Sequence, residues 1–285
     1  MILEHARGRV EFSNCLVMGT VNRTPDSFYD GGRTGLSESV DFAMQLVDEG
    51  ADLLDLGGVK AGPGAEVDET EESARLLPLV EKLAARTSIP LSIETSRATV
   101  ARKGLEAGAA IVNDVSGLAD PQLSEVVAEF GAAIVLMHHG GQIRGRPRNP
   151  RYEDVVVDVK QKLSDLAARA KQSGIKETSI VVDPGLDFGK TTMHSLELVR
   201  RMDEITALPW PVLVAPSRKD VVGETLDLPV DERLEGTLAL VALAVMAGAA
   251  IVRVHDVRAA VRVVRMVEAV AGRRPPEAPV RGLWE

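Results

Sequence analysis

Eight short apolar runs, separated by longer amphipathic stretches, predict an α/β protein folded as a single (β/α)8 TIM barrel. Two further observations support that class. Four of the runs follow a glycine that ends a helical stretch, in "EGADLLDLG", "AGAAIVNDV", "FGAAIVLMH" and "AGAAIVRVH". No GxGxxG follows the first run, which argues against a doubly wound open sheet.

In chain order the strands are expected at "CLVMGT" (15–20), "DLLDLG" (52–57), "PLSIET" (90–95), "AIVNDV" (110–115), "AIVLMH" (133–138), "SIVVDP" (179–184), "PVLVA" (211–215) and "AIVRVH" (250–255). They are apolar nearly throughout, so each needs cover on its outer face. Stretches such as "SESVDFAMQLVDEG" and "EESARLLPLVEKLAA" supply helices for it. The barrel is assigned to residues 1–272, and 273–285 is expected to be a flexible tail because its prolines forbid regular structure.

The 285 residues are 45% hydrophobic and 26% charged with net charge −9, a composition that buries one large core. No basic run stands out, so nucleic acid is not an expected partner, although a local basic pocket for an anionic small molecule is compatible. The longest apolar run, 237–252, is shorter than a membrane span and contains Gly248. No membrane partner is expected. The N-terminal "MILEHARGRV" has no apolar signal region, and the single Cys15 fits a reducing compartment, so a cytoplasmic location is expected.

In such a barrel the working face lies where strands end and βα loops begin. Those positions carry Asn22, Asp55, Glu94, Asn113 with Asp114, His138, Asp183, Ser217 with Lys219, and Arg253 with His255. A strand-end Asp or Asn singly reads as a helix cap. Eight strands all delivering polar groups to one rim do not. Lys219, Arg253 and His255 are three candidate cations for an anionic or phosphorylated ligand. Asp183 and Glu94 follow apolar strands and need donor-rich partners, which an amidine-like heterocycle edge provides. Asn113 reads a mixed donor–acceptor edge. The ligand expected is a flat, hydrogen-bonding ring joined to a phosphate group. No Ser–His or Cys–His nucleophile pair is expected on this rim.

The strings "MGTVNRTPDSFYDGG", "GADLLDLGG", "AIVNDVSG", "VLMHH", "VVDPGLDFGK", "SRK" and "IVRVHDV", in this order over residues 15–268, resemble the dihydropteroate synthase family. The resemblance implies a pterin-binding barrel that joins a dihydropterin methyl pyrophosphate to p-aminobenzoate and releases pyrophosphate. By it, Asn22 would hold Mg2+ and the pyrophosphate, and Asn113, Asp183 and Lys219 would line the pterin pocket. Arg253 and His255 would bind the pyrophosphate, and Ser217 would lie near the p-aminobenzoate carboxylate. The glycine-rich first loop, with Asp26, would be a flap over the leaving group.

The chain departs from that family at several points. After the second strand it reads "GGVKAGPG", where the family has Gly-Gly-Glu-Ser-Thr-Arg-Pro-Gly. Lys60, Ala61 and Gly62 therefore stand where Ser, Thr and Arg are expected, and a flexible ammonium is a poor stand-in for a guanidinium. Glu94 replaces the family's Asp with a side chain one methylene longer, and Asp187 replaces a usual glycine and is expected to add bulk and charge beside the pocket. Arg23 replaces an apolar residue of the first loop, and Ala215 and Pro216 replace a common Gly-Thr. Synthase activity is accordingly expected to be impaired or absent, with residual binding of a pterin, an anion or a p-aminobenzoate analogue. The alternatives are an active synthase in which Lys60 rewires the second loop, and a non-enzymatic ligand-binding or partner protein.

His138 and His139 are adjacent on a strand, so at most one faces the barrel mouth and no metal site is expected there. The arginines of 138–151 read as a solvated loop. "RLEGTLALVALAVMAG" is apolar on more than one stripe, which predicts a homodimer face in addition to its core face.

Overall fold

A computed structural model describes residues 1–23, 35–59, 67–141 and 149–281. It opens with a hairpin, β1 (Ile2–His5) and β2 (Gly8–Glu11), paired antiparallel. The barrel follows as β3 (Leu16–Asn22), α1 (Leu36–Asp48), β4 (Leu53–Gly57), α2 (Glu69–Ala84), β5 (Leu91–Glu94), α3 (Ala98–Glu106), β6 (Ile111–Asp114) and α4 (Leu123–Glu129). The second half is β7 (Ala133–Met137), α5 (Val155–Gln172), β8 (Ile180–Asp183), α6 (Thr192–Arg200), α7 (Met202–Thr206), β9 (Leu213–Val214), α8 (Asp220–Leu226), α9 (Leu234–Met246), β10 (Ile251–Val254) and α10 (Val257–Val270). Residues 271–281 form neither helix nor strand.

All eight expected strands are present, every pairing between them is parallel, and their order is β8-β7-β6-β5-β4-β3-β10-β9. The last gap closes through a bridge between Val182 and Val212, with the Val182 amide donating to the Pro211 carbonyl at 3.0 Å. The seventh barrel strand, β9, is two residues long, shorter than the expected 211–215. Pro211 and Pro216 bracket it, and a proline has no amide to donate to a ladder. The four glycines that precede strands, Gly50, Gly108, Gly131 and Gly248, have φ of +100°, +113°, +59° and +96°, the left-handed turn that ends a helix and releases the chain into the next strand.

Alternation along each strand divides the core in two. Val17, Val21, Leu54, Leu56, Ile93, Val112, Ile134, Leu136, Val182 and Val252 face outward and are buried under the helices. Leu16, Met18, Leu53, Ile111, Val135, Val181, Leu213 and Ile251 fill the barrel interior. The N-terminal hairpin, which sequence reasoning did not foresee, adds Leu3 and Phe12 to this inner cluster. Its alternation is too short to register as a pattern, yet it places apolar cover against the interior. The same inward register, continued toward the C-terminal strand ends, passes from apolar to polar residues at Thr20, Asp55, Ser92, Asn113, Asp183 and Arg253.

On the outside, α9 buries Thr237, Val241, Ala244 and Val245 and leaves Leu243 and Met246 exposed beside Met266 and Val270 of α10. Among the described residues no helix is long and apolar enough to cross a membrane.

Candidate functional site

Asp55 is the hub of the barrel mouth. It is fully buried on β4, and three strands converge on it: Ser92 Oγ donates at 2.6 Å, Asn113 Nδ2 at 3.0 Å and Arg253 Nε at 2.6 Å. Arg253 also donates through Nη2 to Glu94 Oε2 at 2.7 Å. One guanidinium thus serves two buried carboxylates. Burial holds the Glu94 carboxyl above its usual range, with Arg253 opposing and Asp55 reinforcing the shift. Sequence reasoning placed Asp55 on the rim without a role; nothing along the chain says that Ser92, Asn113 and Arg253 share it.

Asp183 accepts from the Gly185 amide at 2.7 Å, and burial raises its pKa against the pull of Lys219. Lys219 donates to the Leu186 carbonyl at 2.8 Å and lies 4.9 Å from the centre of the Phe188 ring, with its own pKa lowered by burial. Asn22 ends β3 opposite Gly57. A Cβ on that glycine would stand 2.9 Å from Asn22 Oδ1, so the close approach requires glycine. Thr20, paired with Asp55 across β3 and β4, has a buried hydroxyl with no hydrogen-bond partner among the described residues.

Two sequence expectations are corrected here. Ser217 and His255 do form a pair: Ser217 Oγ lies 2.9 Å from His255 Nδ1 and accepts from the His255 amide at 3.2 Å. The amide donation and the contact with Nδ1 together fix the hydroxyl against the ring. Nor are Arg253 and His255 free cations. Arg253 is committed to Asp55 and Glu94, and burial, then Arg253, pushes His255 down to about 4, leaving it neutral near pH 7.

Other rim residues turn away from the mouth. Asp114 accepts from Ser116 and Leu118 amides and shapes the turn after β6. His138 packs outside the barrel, 3.0 Å from Asp158 and 2.7 Å from Lys190 Nζ. Lys190 also donates to the carbonyls of Gly185 and Phe188, both at 2.9 Å, and so pins the loop after β8 to the end of β7. Between the two described loops, Arg218 of "SRK" clasps Asp256 through Nε at 2.9 Å and Nη2 at 3.0 Å.

A family model described as pterin binding enzyme matches residues 18–255. The chain belongs to that family. It is 50% identical over 275 residues to a Mycobacterium leprae protein named inactive dihydropteroate synthase 2, covering 94% of each chain. The Yersinia pestis dihydropteroate synthase solved with a sulfonamide drug superposes with a TM-score of 0.92 at 37% identity, over 95% of this chain and 100% of that one. The Coxiella burnetii dihydropteroate synthase in complex with pteroic acid gives 0.87 at 32% identity, over 95% and 98%.

Departures from the pterin-binding family acquire structural reasons. Asp187 has φ +69°, a conformation that suits the family's glycine. Its carboxylate accepts from Ser195 Oγ at 3.0 Å and from the Val221 amide in the first turn of α8, also at 3.0 Å, and its charge opposes the burial-driven fall in the Lys219 pKa. Arg23 is explained by Pro78 inside α2. Proline removes the amide that would bond the Ala74 carbonyl, and Arg23 Nη1 reaches that carbonyl at 3.3 Å and the next, on Arg75, at 2.7 Å. Lys60, Ala61 and Gly62, with Asp26 of the first loop, lie outside the described residues. Both described ends of the second loop are held by arginines: Arg75 donates to Gly58 at 3.2 Å, and Arg97 to Val67 at 2.7 Å while pairing with buried Glu72.

Proposed function

We propose that this protein is a folate-pathway dihydropteroate synthase homologue whose synthase reaction is impaired or absent and whose barrel mouth retains a pterin- or p-aminobenzoate-like ligand. The observation that carries this reading is the convergence of Asn113, Asp183 and Lys219 at one rim, an amide, a carboxylate acceptor and a cation suited to the edge of a flat heterocycle. The name of the 50% identical relative supports the loss of turnover. So does the chemistry: departure of pyrophosphate needs cations available to the leaving group, and here His255 is held neutral near pH 7 while Arg253 is shared between two buried carboxylates.

Asn22 is the residue that would hold Mg2+, through its amide oxygen. Among the described residues no group of three His, Cys, Asp or Glu could cage a metal, which suits an ion carried in with a pyrophosphate and its waters rather than a resident one. Mg2+ would supply charge neutralisation to that group. Ser217 is proposed to face a p-aminobenzoate-like carboxylate. The exposed Leu243, Met246, Met266 and Val270 are proposed as a homodimer face, and a cytoplasmic location accompanies the folate-pathway assignment.

The test supplies the purified protein with dihydropterin pyrophosphate, p-aminobenzoate and Mg2+, and titrates it separately with a non-phosphorylated pterin. Ring binding without dihydropteroate formation is the expected result. Turnover of about 1 per second or above would overturn the loss of function and favour an active enzyme with a rewired second loop.

A further inference from the structure

The sheet is weakest where β8 meets β9. Their pairing is an isolated bridge, Val182 with Val212, and β9 is two residues long between Pro211 and Pro216. The segments beyond these strands carry Leu186, Asp187 and Phe188 on one side and Lys219 on the other, and side chains join them in both directions. Lys219 reaches back to the loop after β8, where Nζ donates to the Leu186 carbonyl at 2.8 Å and lies 4.9 Å from the centre of the Phe188 ring. Asp187, between those two residues, reaches forward: its Oδ2 accepts at 3.0 Å from the amide of Val221, just past Lys219.

The Asp187 half of this clasp is built in. Lys219 is the N-cap residue of α8 and its side chain makes no capping bond, so the Val221 amide in the first turn takes its acceptor from Asp187 instead. The carboxylate is fixed in turn by Ser195, fully buried on α6, which donates to Oδ1 at 3.0 Å and accepts from the Asp187 amide at 3.0 Å. The backbone there, at φ +69°, is unfavourable to a residue with a Cβ and is kept by these contacts. Around the Lys219 ammonium stand the carboxylates of Asp183, Asp187 and Glu94, against Arg253, Lys190 and the neutral ring of His255. Burial lowers the Lys219 pKa, and Asp183, then Asp187, oppose that fall.

We propose that Asp187 is a positioning residue for Lys219, tying the loop after β8 to the start of α8 so that the ammonium is held, charged, at the barrel mouth. Glycine, the family's residue at this position, has no side chain to fill that role. The inference rests on the ring-binding reading above only in taking Lys219 as the cation that meets a ligand; the clasp itself stands on the contacts of Asp187 and Lys219.

Two variants separate the tether from the charge. Asp187→Asn tolerates the positive φ and keeps an amide oxygen for Val221 while losing the charge; Asp187→Gly is unstrained at this φ and loses both. Protein labelled with 13C-lysine is titrated by NMR across the lysine range, about pH 7 to 11, and the Lys219 methylene beside the ammonium is assigned by its absence in Lys219→Met. The expected result is a Lys219 midpoint lower by about half a unit or more in both variants, roughly a threefold loss of proton affinity. The upfield shift of that methylene by the Phe188 ring should survive in Asp187→Asn and be lost in Asp187→Gly. A midpoint unchanged in either variant, or a Phe188 shift that Asp187→Gly keeps, overturns the proposal. Calorimetric titration with 6-hydroxymethylpterin should show at least threefold weaker binding by Asp187→Gly than by the wild type, and equal affinities again overturn it. If the wild type binds no pterin, the ring-binding reading fails, and the lysine spectra still decide the role of Asp187.

Discussion

Replacing Asp55 with alanine tests whether the mouth is held by its charges. The side chain is fully buried and accepts from Ser92, Asn113 and Arg253 at 2.6, 3.0 and 2.6 Å, so its loss strands two donors and half of the Arg253 contact. Removing one partner of a buried ion pair costs about 3–5 kcal/mol, and because Glu94 still holds the guanidinium the lower end applies, about 3 kcal/mol. For 285 residues the unfolding entropy is about 0.6 kcal/mol per kelvin at the midpoint, so Tm should fall by about 5 °C. Scanning calorimetry and urea unfolding read the effect. The double variant Asp55→Ala with Arg253→Met should cost less than the sum of the singles by at least about 1.5 kcal/mol, since the Asp55–Arg253 contact is then lost once rather than twice, while Glu94 is left without its cation in the double variant as in Arg253→Met alone. A Tm change under about 1 °C for Asp55→Ala, or strict additivity in the cycle, would show that the network contributes nothing to the fold.

Two further outcomes follow from named contacts. Arg23→Val should cost about 1 kcal/mol in urea unfolding, because the Ala74 carbonyl loses the donor that substitutes for Pro78; in a Pro78→Ala background, where the helix amide returns, that cost should disappear. Burial raises Glu94 from its ordinary 4.5 to about 7, so the native state holds that proton more tightly than the unfolded chain. The associated stability is complete below about 4.5 and is lost as pH rises through about 7. His255 is shifted down from 6.5 to about 4, so its contribution is present above 6.5 and lost as pH falls through about 4. The two windows overlap between about pH 4.5 and 6.5 and oppose each other there, so the wild-type melting profile should be shallow over that range, and Glu94→Gln should expose a stability that rises with pH from about 4 to 6.5.

Much of this molecule is legible along the chain. Eight apolar runs of strand length, four with a helix-ending glycine before them, specify the barrel, because backbone hydrogen bonding and burial act on short windows of sequence. The same windows place Asn22, Glu94, Asn113, Asp183, Ser217, Lys219, Arg253 and His255 at strand ends. The hairpin under the barrel escaped, because a four-residue strand such as Ile2–His5 carries too little alternation to read.

What the tertiary structure alone decided is which of those groups are spoken for. Arg253 reads as a free cation on its strand, yet closing the sheet brings it onto Asp55 and Glu94, residues 198 and 159 positions away. Ser217 and His255, 38 positions apart, become a hydrogen-bonded pair, and Asp187 is tied to the first turn of α8. Residue type determines what charge a position can carry. Only the folded arrangement, through burial and the reach of neighbouring strands, determines whether that charge faces a ligand or is already neutralised within the protein.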